Sequence, residues 1–250
     1  MPSTPEFAPR DFIEILGAPD LPLIVGGQAV NLWAELYATE IAALGEFQPF
    51  VSKDADIFGT RILAEQLARR TGWKLSFDPR RDQVVAGILR RERSPGMLPL
   101  TIEVLSEVNG LTAVDLAVSS VVEIGGDECY RIPAPTVLLK AKLYNLASLV
   151  FTERPQDLKH ARMLCQIVPH YLRELHAEFR AGRLPETTFV KAVAYTADVI
   201  TSGYAGNAAN GRGLDLTRVI PPNIWSNDSP PLQRVLERLK ECGLALPPPS

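Results

Sequence analysis

"LPLIVGGQAVNLW", Leu21 to Trp33, decides how the chain begins to fold. Leu21 to Val25 is an apolar run of strand length, and Gly26-Gly27 interrupts it. From Gln28 to Leu44, apolar residues recur at Val30, Trp33, Leu36, Tyr37, Ile41 and Leu44. That is the period of a helix burying one face, with Gly45 as its stop. A glycine pair between strand and helix lets backbone amides approach a ligand closely, and the helix start turns its N–H groups towards an anion such as phosphate. Steric demand in a tight turn explains the same pair without a ligand. Neither GK[ST] nor GxGxxG is present to specify a phosphate loop.

The next informative stretch is "FVSKDADIFG", Phe50 to Gly59, which reads as a second strand over 50–58. Alternation puts Asp54 and Asp56 on one face, with Ala55 and Ile57 turned to the core. Adjacent carboxylates repel unless a cation sits between them, and Mg²⁺ (or Mn²⁺) takes oxygen ligands from one or two carboxylates plus substrate phosphates. The plain alternative is the wet face of an edge strand. Ser52 is in phase with the two acids and could reach a phosphate. Lys53 joins the nucleotide-binding set, although its strand position turns it to the opposite side, where it reads as a surface charge.

A firm two-metal site needs a third acid. Glu103 in "IEV" and Asp115 in "VDL" are both flanked by apolar residues. Either could instead be an acid paired with an arginine, for example from "LRRER" at 89–93.

Composition bounds the function classes. At 250 residues, 46% hydrophobic and 22% charged, the chain is long enough to bury a core, and a net charge of -3 argues against a surface coated in basic residues. Cys129, Cys165 and Cys242 are widely spaced and odd in number, which suits free thiols and a cytoplasmic location rather than a disulfide framework. His170 and His176, six apart, do not match a helical metal pair. No long apolar run marks a membrane segment or a signal peptide, so no membrane partner is expected.

Along the rest of the chain, "TRILAEQLARRTG" from Thr60 reads as a helix with Ile62, Leu63 and Leu67 inward and Gly72 at its end. Strands are expected at 74–77, 83–89 and 100–104, and a hairpin over 123–132 on Gly125-Gly126. The letters "GGDE" at 125–128 are explained by that turn alone.

From Pro135, "TVLLKAKLYNLASLVF", "QDLKHARMLCQIV", "HYLRELHAEFRAG" and "TTFVKAVAYTADVI" read as four helices. "SGYAGNAANGRG", 202–213, reads as a flexible loop or lid, and a last helix is expected over 232–242. Lys142 and Asn145 are three apart and share a polar stripe, with Lys140 as the alternative. Lys140 and Lys142 otherwise read as snorkelling side chains. Arg154, Lys159, His160 and Arg162 form a basic cluster that reads first as a solvated helix face. The expected fold class is α+β, with a sheet-bearing domain over 1–132. A helical C-terminal domain over 133–250 follows, including a Pro-rich segment at 203–231.

"VGGQAVNLW", then "SKDADIFG", then "IEVLSEVNGL" resemble the nucleotidyltransferase superfamily (polymerase-β-like fold), closest to its small prokaryotic branch of minimal enzymes and AbiEii-type toxins. The resemblance covers roughly residues 20–168 and implies a mixed β-sheet core flanked by helices. It implies that Gly26 and Gly27 hold a triphosphate, that Asp54 and Asp56 bind the metals, and that Glu103 is the third acid, with Asp115 as runner-up. It also implies that Lys140 or Lys142 faces the nucleotide. The gap from Gly27 to Asp54 is longer than in compact members, and the third acid is Glu where Asp is usual. The implied reaction moves an NMP from an NTP to a hydroxyl of a tRNA, other RNA, protein or small molecule. The implied partner is a cognate antitoxin, and the competing reading is an inactive binding or antitoxin-type module.

Overall fold

The structure is a computed structural model that describes residues 6–17, 20–81, 83–124, 128–148, 154–225 and 229–242. The chain divides into two compact units, Met1–Leu138 and Leu139–Ser250.

The first unit is built on one mixed seven-stranded sheet: β1 Leu23–Val25, β2 Ala55–Phe58, β3 Lys74–Ser76, β4 Val85–Arg91, β5 Leu100–Leu105, β6 Ser119–Ile124 and β7 Glu128–Pro133, in the order β3-β4-β5-β2-β1-β7-β6. β1 is buried at every residue because it lies inside the sheet between β2 and β7, and strands covered on both faces read as continuous apolar runs. β2 alternates. Ala55 and Ile57 are fully buried, while Asp56 and Phe58 are half-buried on the other face.

The helices of this unit are α1 Ile13–Leu16, α2 Gly26–Tyr37, α3 Arg61–Thr71 and α4 Ala113–Ala117, together with the first residues of α5 Pro135–Ser148. α3 is capped by the Thr60 hydroxyl, which accepts from the Leu63 amide, and it ends on Gly72 in the left-handed region at φ 72°. It packs on the face carrying Ile102 and Val104: a Cβ on Gly87, the cross-strand partner of Val104, would meet the Ala64 methyl at 2.8 Å. Trp33 on α2 donates its indole N–H to the Pro133 carbonyl at 2.9 Å, tying α2 to the end of β7. Gln28, fully buried, donates to the Phe7 carbonyl at 2.9 Å, and Phe7 pairs in turn with Ser52 through two backbone hydrogen bonds.

Several local expectations are corrected. The helix expected over Gln28–Leu44 stops at Tyr37. The β-branched Thr39 and Ile41 follow, Ile41 turns to φ -113° and ψ 89°, and a separate 3-10 segment, Ala42–Phe47, contains Gly45. Ile62 is 66% exposed and Leu63 half-buried, while Leu67 is buried as expected and Ala64 joins it. The second strand begins only at Ala55, so Lys53 and Asp54 lie in a bend ahead of it. The Gly125-Gly126 turn lies outside the described residues, but the antiparallel pairing of β6 with β7 makes the hairpin.

In the second unit the described elements are the remainder of α5, then α6 Pro155–Arg180, α7 Glu186–Thr201, α8 Gly203–Ala209, α9 Pro222–Trp225 and α10 Pro230–Glu241. The two helices expected on either side of Pro169 are one 26-residue helix. Proline removes one hydrogen bond, yet Leu164, Ile167, Val168 and Leu172 bury their side chains on both sides of it and hold the helix through the break. The stretch at 202–213 contains α8, started by the Ser202 hydroxyl, rather than loop alone. No helix among the described residues is long and apolar enough to cross a membrane.

Substituting the fully buried Ile57→Ala should cost about 2–5 kcal/mol in denaturant titration. The exposed Ile62→Ala should stay within about 0.5 kcal/mol of the parent. Equal effects would contradict the inward face assigned to β2.

Candidate metal centre

The site grows from one row across the sheet. β1 and β2 are antiparallel with Val25 opposite Asp56, and β2 and β5 are parallel with Asp56 opposite Glu103. Directly opposed residues share a face, and neighbouring strands lie about 4.8 Å apart, so the two carboxylates stand side by side. The next row on this face, Leu23, Phe58 and Leu105, is apolar and packs with Leu116, Val108 and Leu111. The acids therefore sit at the border of an apolar patch.

Gly26 follows Val25 and opens α2 at φ 66°. A Cβ there would lie 2.0 Å from Asp56 Oδ2, a distance no side chain can occupy. The glycine thus has a reason inside the chain: it makes room for the Asp56 carboxylate at the start of a 12-residue helix. A carboxylate at that end is favoured by the helix dipole. Gly27, the next residue, is buried.

Asp54 precedes β2 by one residue, half-buried, with Lys53 Nζ 3.5 Å from its Oδ2 and the Lys53 side chain 66% exposed. The bend places Asp54 by its loop rather than by the strand period. Ser52 is buried. Glu103 accepts two hydrogen bonds from Arg81, Nη1 to Oε1 and Nη2 to Oε2, both at 2.7 Å. Those hydrogen bonds raise the Arg81 pKa above its ordinary value against a smaller opposing effect of burial, and the charges of Glu103, Asp78 and Asp56 add to the rise.

Glu103 is thus an arginine-paired acid as well as a neighbour of Asp56. Its partner comes from the turn before β4, not from 89–93. Arg81 carries no sequence signal of this role, because its pairing depends on how the turn after β3 folds back over β5.

Asp115 is not on a strand. It is the third residue of α4, where its carboxylate accepts from the Thr112 amide and hydroxyl, each at 2.7 Å, while the Thr112 hydroxyl accepts from the Asp115 amide. This reciprocal cap accounts for a buried acid next to apolar residues and sets Asp115 on a helix rather than on a strand.

Lys140, Lys142 and Asn145 lie on α5 in the second unit. Lys142 is buried rather than snorkelling, and its ammonium donates to Asp157 Oδ1 at 2.8 Å while Arg154 donates to Oδ2 at 2.7 Å. Burial pushes the Asp157 carboxyl up, but Lys142 and Arg154 outweigh it and leave the pKa below its ordinary value. Lys140 Nζ stands 5.7 Å from the Tyr195 ring centre, and Asn145 is half-buried. The basic cluster is not a uniform wet face. His160 is buried and held well below its usual pKa by burial, and Arg162 donates to the Arg212 carbonyl.

Asp54, Asp56 and Glu103 all offer carboxylate oxygens, a chemistry that suits a hard cation such as Mg²⁺ or Mn²⁺, but among the described residues the three do not form a group whose ligand atoms all lie within 4.8 Å of one another. The close packing of Gly26 against Asp56 is testable by a double-mutant cycle. Gly26→Ala should cost about 1–3 kcal/mol through left-handed strain and the clash. Asp56→Ala should relieve part of that cost, giving a coupling of about 0.5–3 kcal/mol in chemical denaturation. Additive effects would remove the contact.

No protein-family model and no curated protein matches the chain.

Proposed function

We propose that the first unit is a metal-dependent nucleotidyltransferase that transfers an NMP from an NTP to an acceptor hydroxyl. The observation that supports this reading best is the single row that joins the start of α2, Asp56 and Glu103 on adjacent strands. Asp54, Asp56 and Glu103 would hold Mg²⁺ or Mn²⁺, which when bound supplies charge neutralisation for the triphosphate and the transferred phosphoryl group. Gly26 and Gly27 open α2, whose first four N–H groups lack intrahelical partners and offer an anion seat. Transfer forms a bond from the acceptor oxygen to the α-phosphorus and breaks the bond to the β-phosphate oxygen, so pyrophosphate leaves. In this reading Glu103 would take the acceptor proton once released from Arg81. Carried over from the resemblance, the cellular role would be that of a toxin held by a cognate antitoxin, with RNA or protein as acceptor.

A second reading has its own observation. The bidentate hold of Arg81 on Glu103 would suit a site that binds nucleotide without transferring it. Incubation with α-labelled NTPs, Mg²⁺ or Mn²⁺ and pools of tRNA, protein and small hydroxyl acceptors separates the two. Transfer should appear and fall at least about 100-fold in Asp54→Ala/Asp56→Ala. Label transfer that survives the double substitution defeats the enzyme reading. NTP binding by calorimetry without any transfer selects the binding module.

A further inference from the structure

We propose that the outer edge of β6 is a self-association surface. Two copies of the chain join antiparallel through Ser119–Ile124, about a two-fold axis at Val121, and their sheets become one. This surface is independent of the nucleotide reading.

β6 ends the sheet order, and no described strand lies beyond it. The Ala134 amide donates to the Val118 carbonyl at 3.2 Å, across the pair Ser119 and Pro133, and this fixes the phase of the ladder with β7. In an antiparallel pair the backbone groups of successive residues turn alternately to the partner and away from it. Ser120 and Val122 therefore bond β7, while Ser119, Val121 and Glu123 direct their amides and carbonyls to the open edge. No backbone hydrogen bond among the described residues engages those outward groups.

Open edges are templates for another strand, and chains that stay single blunt them with short strands, lysines, prolines or bulges. The other edge of this sheet follows that rule: β3 has three residues and carries the exposed Lys74. β6 does not. Its six residues, "SSVVEI", hold no lysine or proline and pair with β7 in one unbroken register. Val121 is 60% exposed and Val118, just before the strand, 57%. Val121 stands opposite Arg131, whereas Val122 and Tyr130 on the other face are buried. The edge is thus regular, rich in β-branched residues and wet on one side.

Register and charge select a second copy as the occupant. Outward groups can bond only outward groups, and centring the pair on Val121 uses all of them: Val121 faces its own copy, and Ser119 faces Glu123 of the other copy. The valines then cover each other's exposed surface. The Ser119 hydroxyl accepts from Arg131 Nε at 3.0 Å and keeps its own hydrogen to donate. The exposed Glu123 carboxylate of the other copy meets that donor with a guanidinium behind it, and two-fold symmetry makes the contact twice. The two Glu123 side chains lie at opposite ends of the pairing, so like charges do not meet. A shift by two residues sets Val121 against Ser119 or Glu123 and loses both the match and part of the backbone ladder.

Analytical ultracentrifugation of the full chain over a concentration series reads the association, and amide hydrogen exchange by NMR reads the register. The mass should rise from that of one chain to that of two. With concentration the Ser119, Val121 and Glu123 amides should gain protection, while Ser120 and Val122 stay protected throughout. Val121→Lys sets two ammonium groups opposite each other and should weaken association about tenfold or more, with thermal unfolding at low concentration unchanged. Glu123→Lys should weaken it several-fold through repulsion from Arg131, and it serves if Val121→Lys does not fold by circular dichroism. The mass of one chain at every concentration up to about 1 mM overturns the proposal and leaves the edge to a strand from another protein. A dimer that both substitutions leave intact, or whose new protection lies outside β6, overturns it as well.

Discussion

Two carboxylates in one row of a sheet are the constraint on which the candidate site depends. The pairing of Asp56 with Glu103 is set by the backbone register of β2 and β5, so their charges cannot separate without breaking the ladder. Three neighbours answer that repulsion. Gly26 yields its side-chain space to Asp56, α2 directs its positive end there, and Arg81 lies across Glu103. The opposite face of the same strands, with Ala55, Ile57, Ile102 and Val104 fully buried, keeps the register from slipping. A one-residue slip would turn the acids into the core and the aliphatics out of it.

The second unit handles charge differently. Lys142 and Asp157 are both buried, and their mutual hydrogen bond, with the help of Arg154, stands in for the lost hydration. Burial holds the neighbouring His160 well below its usual pKa. This is a closed arrangement in which each ion has its partner within the unit, whereas Arg81 at the rim of the first unit remains half in solvent.

Much of the fold is legible residue by residue. The apolar run of β1, the Thr60 cap and Gly72 stop of α3, and the strands that follow all rest on local chemistry acting within a few residues. Two of the errors share one origin. Pro169 reads as a break and Ile62 as an inward residue, because the burial that overrides a proline, or leaves an isoleucine wet, comes from partners far along the chain. Of the row, the Gly26-Gly27 turn, Asp56 and the flanked acid Glu103 are readable, whereas Asp54 reads as a strand residue and lies in the bend ahead of β2. Asp115 looks equivalent to Glu103 in sequence, and only the Thr112 cap separates them.

By itself the sequence determined the composition of the row: a glycine where a strand turns into a helix, an acid alternating with buried aliphatics, and a second acid between two others. Period-two alternation and glycine's freedom at positive φ are local properties, and they need no knowledge of the neighbouring strand. Tertiary structure alone decided that Gly26, Asp56 and Glu103 meet, that Asp115 serves a helix cap, and that Arg81 closes over Glu103. Strand order and register join residues tens of positions apart, and only the packing of the whole sheet selects them.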